Sequence, residues 1–197
     1  MAIFLAVEGA KGAGKTTLVT TLGERLADAG IAGVVITKEP TPRFDLGQEA
    51  HLLGADLARA IARDRAVHVR EVIAPALGAG KAVVCDRYIL SSLAFHCGDG
   101  VPADEVWQMN ERFPLPSANL ILTASPEAVT ARRGRRASPT RLEEASDPGE
   151  ECGRYLHFGN VMRQRGVPVT LLPHETPGDL ELAVKWIMRS IRDGIPS

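Results

Sequence analysis

The feature that most constrains this chain is a glycine-rich run that stands between an apolar segment and a helical one. Residues 9–16 read GAKGAGKT and match the pattern G-x-x-x-x-G-K-[ST] in full. The apolar run Ile3–Val7 before it predicts a buried strand, and Lys15–Ala29 after it predicts a helix with one apolar stripe. Strand, glycine-rich loop and helix in this order indicate the phosphate-binding loop of a P-loop fold.

Each part of this loop has a chemical task in holding a polyphosphate. Glycines permit positive φ angles, so the loop can turn its backbone N–H groups inward, and the following helix adds the positive end of its dipole. Lys15 supplies a charge for the β- and γ-phosphates, and the Thr16 hydroxyl can hold Mg²⁺. The predicted nucleotide-binding residues are Gly9, Ala10, Lys11, Gly12, Ala13, Gly14, Lys15, Thr16 and Thr17.

Strands and helices alternate along the rest of the chain, which is typical of βαβ units around a parallel sheet. Further apolar runs predict strands at 33–37, 82–85, 119–123 and 167–172. Helical patterns lie at 56–77, after residue 88, at 103–112, from Pro126 onwards and at 178–192. Pro75 should kink or fray the first of these near its end. The right-handed crossover rule then places helices on both faces of the sheet, which gives an α/β fold of three layers.

Composition limits the class of protein. The 197 residues suit one domain, 1–197, and 45% hydrophobic with 24% charged residues exclude bulk disorder. A net charge of -1 argues against a nucleic-acid binder. The three cysteines show no metal-ligand spacing. No apolar run approaches the length of a membrane span. The N-terminal apolar run reaches Glu8 too soon for a signal peptide. We therefore expect a cytoplasmic protein with no membrane contact.

The third predicted strand ends in Asp86-Arg87-Tyr88. Because the carboxyl ends of parallel strands face the ligand crevice, an aspartate here can reach a metal through water. An arginine here can grip a phosphate through two parallel hydrogen bonds. The alternative interpretation is a local ion pair between Asp86 and Arg87 at a helix start.

One segment, about 132–148, departs from the composition of the rest. It holds five arginines within ten positions: Arg132, Arg133, Arg135, Arg136 and Arg141. Arg132 and Arg136 have the i, i+4 spacing of one helical face, so a surface lid could close from there onto phosphates. A solvated loop is the plain alternative, and the lack of interleaved aromatic residues argues against a nucleic-acid patch.

Taken together, these motifs resemble those of the thymidylate kinases, a family of nucleoside monophosphate kinases. The P-loop is specific only to a superfamily, whereas the DRY block with two serines and an alanine is far more specific. The matching pieces run in family order: EGAKGAGKTT at 8–17, Lys38-Glu39-Pro40, DRAVHVREVIAPAL at 64–77, DRYILSSLA at 86–94, Arg141 with Glu143, and Arg154-Tyr155.

The resemblance implies that ATP gives its γ-phosphoryl group to a nucleoside monophosphate, dTMP yielding dTDP, with Mg²⁺ as cofactor. It also implies a five-stranded parallel sheet, an arginine-rich lid over the ATP and a homodimer. The catalytic residues that it implies are Lys15, Arg87, Arg132, Arg136 and Arg141. The acceptor-binding residues are Glu39, Pro40, Ile61, Arg65, Arg87, Ser91, Ser92 and Phe95, and the metal-binding residues are Thr16 and Asp86. Within these sets, Arg87 holds the acceptor phosphate, Arg65 meets the far edge of the base, and Ser91 and Ser92 contact the base.

Most departures from the family pattern lie on the acceptor side. Lys11 stands where the family has an acidic residue, Ile61 where it has a phenylalanine, and Phe95 where it has a tyrosine. His96 and Cys97 replace glutamine and glycine. These changes leave open an altered acceptor, such as a modified pyrimidine nucleotide or another small phosphorylated or phosphonate compound.

Two further functions stay open, a P-loop ATPase switch that phosphorylates no small molecule and a non-catalytic binding module. The intact Lys15, Thr16 and Arg87 argue against the binding module. The absence of an N-K-x-D motif, and a DRY block with an arginine lid that a switch would not need, argue against the switch. His68 and His96 are interpreted as structural or base-contacting residues, because phosphoryl transfer of this kind needs no histidine base.

Overall fold

The computed structural model describes residues 2–45, 51–134 and 147–194. These residues form one five-stranded, all-parallel sheet in the order β2-β3-β1-β4-β5. The strands are β1 (Phe4–Glu8), β2 (Val34–Lys38), β3 (Ala82–Asp86), β4 (Ala118–Thr123) and β5 (Val169–Pro173). The predicted α/β class and five-stranded parallel sheet are confirmed, and the strand ends differ from the predicted ones by at most two residues.

Helices connect the strands and cover both faces of the sheet. They are α1 (Lys15–Asp28), α2 (Gly54–His68), α3 (Ala74–Gly78), α4 (Ile89–Gly98), α5 (Ala103–Asn110), α6 (Pro126–Arg133), α7 (Pro148–Gln164) and α8 (Pro177–Asp193). Three of them begin in the same way, because Ser125, Asp147 and Thr176 each accept a backbone N–H with the side chain and precede a proline. This local signature fixes where α6, α7 and α8 start. None of the described helices combines the length and apolar character needed to cross a membrane.

The long helix predicted over 56–77 is interrupted. A π-helical turn, Val69–Ile73, separates α2 from the short α3, in which Pro75 lies in the first turn. Proline has no N–H to donate to the preceding turn and its ring crowds the carbonyl four residues back, so a regular α-helix cannot continue through it. The predicted disturbance at Pro75 is confirmed, and it takes the form of a widened turn.

Two apolar cores lie on opposite faces of the sheet, because successive side chains of a strand point to opposite sides. In β1, Phe4 and Ala6 belong to one core, and Leu5 and Val7 belong to the other. The first core is completed by α4, α5 and α7 through Leu90, Leu93, Val106, Phe158 and Met162. The second is completed by α1 and α8 through Leu18, Leu22, Leu26, Val184 and Ile187. The three-layer arrangement follows from these two cores.

The strand order brings the two chemical motifs together. β1 pairs with β3 so that Val7 lies opposite Asp86. The glycine-rich loop leaves the end of β1, and the Asp86-Arg87-Tyr88 turn leaves the end of β3. Both therefore open at the same edge of the sheet, which is where ligands bind in such folds.

Candidate active site

The glycine-rich loop has the backbone of a phosphate cradle. Gly9, Gly12 and Gly14 have φ values of 137°, 93° and 100°, which side-chain-bearing residues rarely adopt. A Cβ atom on Gly9 would lie 2.7 Å from the carbonyl oxygen of Leu122. A Cβ atom on Gly14 would lie 2.0 Å from the ring of His174, so glycine is required there by both conformation and space.

Lys15 opens α1, and its side chain folds back into the loop. Its Nζ donates to the carbonyl oxygens of Gly9 at 2.7 Å and Ala10 at 2.9 Å, and the residue is buried. Burial, and next the positive charge of Arg87, lower the pKa of Lys15 to about 7. A phosphate placed in the loop would favour the charged form, because an opposite charge offsets both causes.

The floor of the loop is held by residues that the sequence did not single out as a group. His174, just beyond β5, has its Nδ1 2.5 Å from the carbonyl oxygen of Ala13. Arg132 donates from Nη2 to the carbonyl oxygen of His174 at 2.7 Å. The sequence predicts Arg132 as a lid arginine that reaches phosphate, whereas its guanidinium here contacts loop carbonyls. The other two predicted lid arginines, Arg136 and Arg141, lie outside the described residues, and their catalytic role stays a prediction.

A second set of contacts holds the tip of the loop. The backbone N–H of Lys11 donates to Oε1 of Glu151 at 2.8 Å, and its carbonyl accepts from Nε of Arg133 at 2.9 Å. Arg133 and Glu151 also form a largely buried ion pair with each other. Because Arg133 ends α6 and Glu151 lies in the first turn of α7, two helices fix this tip. Sequence reasoning missed Glu151, which belongs to no motif and lies 140 positions from its partner.

The turn after β3 projects Arg87 into the crevice from an unusual backbone conformation. Arg87 has φ 71°, a left-handed value that costs roughly 1–2 kcal/mol for a residue with a side chain. The backbone N–H of Arg87 donates to Val7, and that of Tyr88 donates to Oε1 of Glu8 at 3.0 Å, which ties the turn to β1. Among the described residues no carboxylate forms an ion pair with Arg87, so the alternative of a local Asp86–Arg87 pair is not observed.

The predicted metal-binding residues suit a magnesium ion. Oδ1 of Asp86 is buried and has no hydrogen-bond partner among the described residues. An unpaired buried carboxylate oxygen is unfavourable by itself and is satisfied by a cation or by the water of one. Thr16 is exposed at the first turn of α1, beside Lys15. Hydroxyl and carboxylate oxygens are the ligands that Mg²⁺ prefers.

On the acceptor side, Arg65 is the centre of a buried side-chain network. It is 1% exposed, and its Nε donates to Oε2 of Glu39 at 2.7 Å. Its Nη2 donates to Ser92 at 3.0 Å, and its guanidinium lies 4.9 Å from the ring centre of Tyr88. Asn110 of α5 accepts a further bond from Nη1. Arg65 therefore forms the floor of this region and is held there by two helices, α4 and α5, and by the turns after β2 and β3.

Glu39 ties the network to β2 through a histidine. Oε1 of Glu39 lies 2.9 Å from Nδ1 of His68, whose Nε2 lies 2.7 Å from the hydroxyl of Thr37. Cys85 is close enough for Glu39, His68 and Cys85 to be considered as metal ligands. However, Glu39 is already paired with Arg65, and burial holds the pKa of the Cys85 thiol well above its usual value. We interpret the group as an internally satisfied network.

The two predicted serines both face protein. Ser92 contacts Arg65, as described, and Ser91 donates to Oε2 of Glu8 while lying 3.0 Å from the hydroxyl of Tyr155. The hydroxyl of Ser91 therefore bonds Glu8 and Tyr155 in this structure, and its contact with the base stays a prediction. Glu8 is buried at the end of β1, and this burial raises its pKa to about 7.

The remaining predicted acceptor-side residues are less buried than the network of Arg65. Pro40, Ile61 and Phe95 are each half-buried. His96 is buried against Phe95, with ring centres 5.2 Å apart, and burial lowers its pKa to about 4. Nδ1 of His96 has no partner among the described residues. A neutral imidazole in this position can offer a hydrogen bond without a charge.

Comparison with known proteins gives a consistent result. A sequence model of the family described as "Thymidylate kinase" matches residues 7–151. A thymidylate kinase of Xanthomonas euvesicatoria is 38% identical over 156 residues, which is 76% of this chain and 69% of that protein. A probable thymidylate kinase of Pyrococcus horikoshii is 38% identical over 154 residues, 72% of this chain and 74% of that protein. The crystal structure of an Ehrlichia chaffeensis thymidylate kinase matches with a TM-score of 0.66 and 20% identity, covering 95% of this chain and 97% of that one.

Proposed function

This chain belongs to the thymidylate kinase family, and from that membership we propose that it catalyses the transfer of the γ-phosphoryl group of ATP to dTMP. The bond between the β–γ bridging oxygen and the γ-phosphorus breaks, and a bond from a dTMP phosphate oxygen to that phosphorus forms. The products are ADP and dTDP, so the enzyme is a nucleoside monophosphate kinase. The predicted family resemblance is confirmed by the comparisons.

The observation that carries this proposal is the meeting of two cations from the two motifs. Lys15 of the glycine-rich loop and Arg87 of the Asp86-Arg87-Tyr88 turn lie close enough for the charge of Arg87 to lower the pKa of Lys15. Two facing cations repel each other unless an anion lies between them. A donor phosphate on one side and an acceptor phosphate on the other would remove this repulsion, as phosphoryl transfer requires.

The chain's residues would act by positioning and by neutralising charge. The backbone N–H groups of residues 12–17 would cradle the donor phosphates, and Lys15 would stabilise the charge that spreads over the transferred group. Arg87 would hold the acceptor phosphate in line with it. When bound by Thr16 and through water by Asp86, Mg²⁺ would neutralise charge on the β- and γ-phosphates.

The acceptor base would lie between Ile61 and Phe95, above the network of Arg65. Since Nη1 of Arg65 has one N–H beyond its bond to Asn110, it could still donate to the base edge. The replacement of an aromatic ring by Ile61 removes a stacking partner, which makes dTMP binding weaker than the family pattern would give. A kinase for a related pyrimidine nucleotide is therefore the second candidate.

We also expect a homodimer that works in the cytoplasm, as the sequence predicts. Half-buried apolar side chains on α2 outside the acceptor site, such as Ala60 and Val67, would supply the contact between two copies. Sedimentation at two protein concentrations tests this expectation. A species of about 21 kDa at both would contradict it.

An acceptor panel tests the proposed function. ATP turnover is measured with dTMP, dUMP, UMP, CMP, AMP, 5-substituted dUMP analogues and a nucleoside phosphonate, and kcat/KM is compared across them. We expect dTMP to give the highest value or to share it with a close pyrimidine analogue. Turnover that no acceptor stimulates would identify an ATPase switch instead. Lys15→Ala serves as the background control for contaminating kinases.

A further inference from the structure

A chain of hydrogen bonds leads from Arg87 into the protein interior. Nη1 of Arg87 donates to the hydroxyl of Tyr155 at 2.9 Å. That hydroxyl lies 3.0 Å from Oγ of Ser91, and Ser91 in turn donates to Oε2 of Glu8. Tyr155, Ser91 and Glu8 are all buried, with 2%, 7% and 0% of their surface exposed. The four residues come from α7, α4, the end of β1 and the turn after β3.

The chemistry of the four groups allows the hydrogens to run in one direction. An arginine guanidinium can only donate, so the oxygen of Tyr155 accepts from Arg87. The hydrogen of Ser91 is committed to the carboxylate of Glu8. The hydroxyl of Tyr155 must then donate to Ser91, which completes a series from the Arg87 cation to the Glu8 carboxyl group in which every group is satisfied.

We propose that Tyr155 is a positioning residue that sets the orientation of Arg87 for the acceptor phosphate, with Ser91 and Glu8 holding the Tyr155 hydroxyl in place. This inference rests on the proposed function, in which Arg87 binds that phosphate. In this role Tyr155 acts through Arg87 and needs no contact of its own with the substrate.

The geometry around Arg87 shows why such a tether is useful. The other nitrogen atoms of its guanidinium form no ion pair with a described residue, so they stay available for an anion. The left-handed backbone of Arg87 aims the side chain, and the tether fixes one end of the flat guanidinium. A guanidinium held at Nη1 loses less freedom when it grips a phosphate through its remaining N–H groups.

The central experiment removes one oxygen atom. In Tyr155→Phe the ring still fills its buried space, but Arg87 loses its tether. We expect the KM for dTMP to rise about tenfold, the loss of one hydrogen bond to a charged group, while the KM for ATP stays within about twofold. A purely structural role predicts a lower Tm with both KM values unchanged, and that result would overturn the proposal.

A double-mutant cycle with Arg87→Lys separates action through Arg87 from direct action. Lysine carries a single side-chain nitrogen, so it cannot donate to both Tyr155 and the phosphate in the fixed planar geometry of a guanidinium. If Tyr155 acts through Arg87, adding Tyr155→Phe to Arg87→Lys should change the KM for dTMP by less than about twofold. A full additional tenfold rise would show that Tyr155 acts independently and would reject the tether.

The next link of the chain supplies a second variant and a matched control. Ser91→Ala should raise the KM for dTMP by about threefold, because Tyr155 loses its acceptor but keeps its contact with Arg87. Ser190→Ala removes a buried hydroxyl that bonds only Trp186 in α8, and it should leave both KM values unchanged. If the wild-type protein phosphorylates no acceptor, the proposed function fails; if it is active and Tyr155→Phe behaves like wild type, only this inference fails.

Discussion

The donor side of the crevice is shaped by backbone conformation, whereas the acceptor side is shaped by buried side chains. The glycine-rich loop is shaped mainly by backbone: three glycines with positive φ, a lysine bonded to loop carbonyls, and a tip whose N–H and carbonyl are both held. The acceptor side is shaped by buried polar side chains around Arg65, which arrive from the end of β2, α2, α4 and α5. Backbone shape survives changes of most side chains, whereas a buried network depends on each of its members.

None of the departures from the family pattern named above falls on a member of the Arg65 network, which fits this dependence. Lys11 is the one departure in the loop, and its described contacts with Glu151 and Arg133 are made by its backbone. Ile61, Phe95 and His96 alter the acceptor side directly. We therefore expect changes on the donor side to affect rate, and changes on the acceptor side to affect stability and the choice of acceptor.

The sharpest test of the acceptor side is Arg65→Met. It leaves the carboxylate of Glu39 buried without its cation, so the free energy of unfolding should fall by about 3–5 kcal/mol. Urea unfolding followed by circular dichroism measures this loss. The matched control is Arg59→Met on the same helix, whose partners are the exposed Asp56 and the half-buried Glu105; it should cost less than about 1 kcal/mol. Equal losses in the two variants would contradict the distinction.

Glu8, which lies between the two sides, should make stability depend on pH. Burial raises its folded pKa from 4.5 to about 7, so between these values the folded state binds the proton more tightly than the unfolded one. The free energy of unfolding of wild type, relative to Glu8→Gln, should therefore fall by roughly 3 kcal/mol from pH 4.5 to pH 7. His96, with its pKa lowered to about 4, acts in the opposite sense but equally in both proteins. A constant difference across this range would show that Glu8 ionises normally.

On the donor side, Lys15→Ala should lower kcat by at least about 10²-fold, because it removes a preorganised charge from the transferring group. The fold should survive, since the lysine's partners are carbonyls at the rim of the loop. Steady-state kinetics with saturating ATP and dTMP, together with the Tm, measure both effects. Lys185→Ala, an exposed lysine of α8, is the control. If Lys15→Ala turns over substrate as fast as wild type, the loop does not bind the donor phosphates as proposed.

The smallest expected effect concerns Ile61. Restoring a ring with Ile61→Phe should improve dTMP binding by roughly 2–13-fold, which corresponds to the 0.5–1.5 kcal/mol of an aromatic pair. Ile61→Leu adds no ring and should leave kcat/KM for dTMP close to wild type. If Ile61→Phe gives no gain while the acceptor panel finds a better substrate than dTMP, this side of the crevice has been rebuilt for that substrate.

The features that could be predicted from the sequence are those that depend on local patterns, and the features that could not are long-range side-chain contacts. The strands, the glycine-rich loop and the disturbance at Pro75 depend on local patterns, and each was predictable. The contacts of Glu151 with Lys11 and of His174 with Ala13 join residues 140 and 161 positions apart, with no spacing to mark them. The bonds of Ser91 to Glu8 and Tyr155 were not predictable either, because a motif names the residue but not the direction of its hydroxyl. Side-chain partners depend on how helices approach one another, which local patterns do not specify.

The strand order also has a consequence for folding during translation. β1 precedes the other four described strands along the chain and is the middle one of the sheet, between β3 and β4. Its β3 side can be paired once Asp86 has left the ribosome, but its β4 side waits until Thr123 has followed. During that interval the nascent chain carries one open, apolar strand edge, the kind that invites pairing with other chains. Slow passage through residues 87–117 would lengthen this exposure, so the pace of translation there bears on how much of the protein reaches its native state.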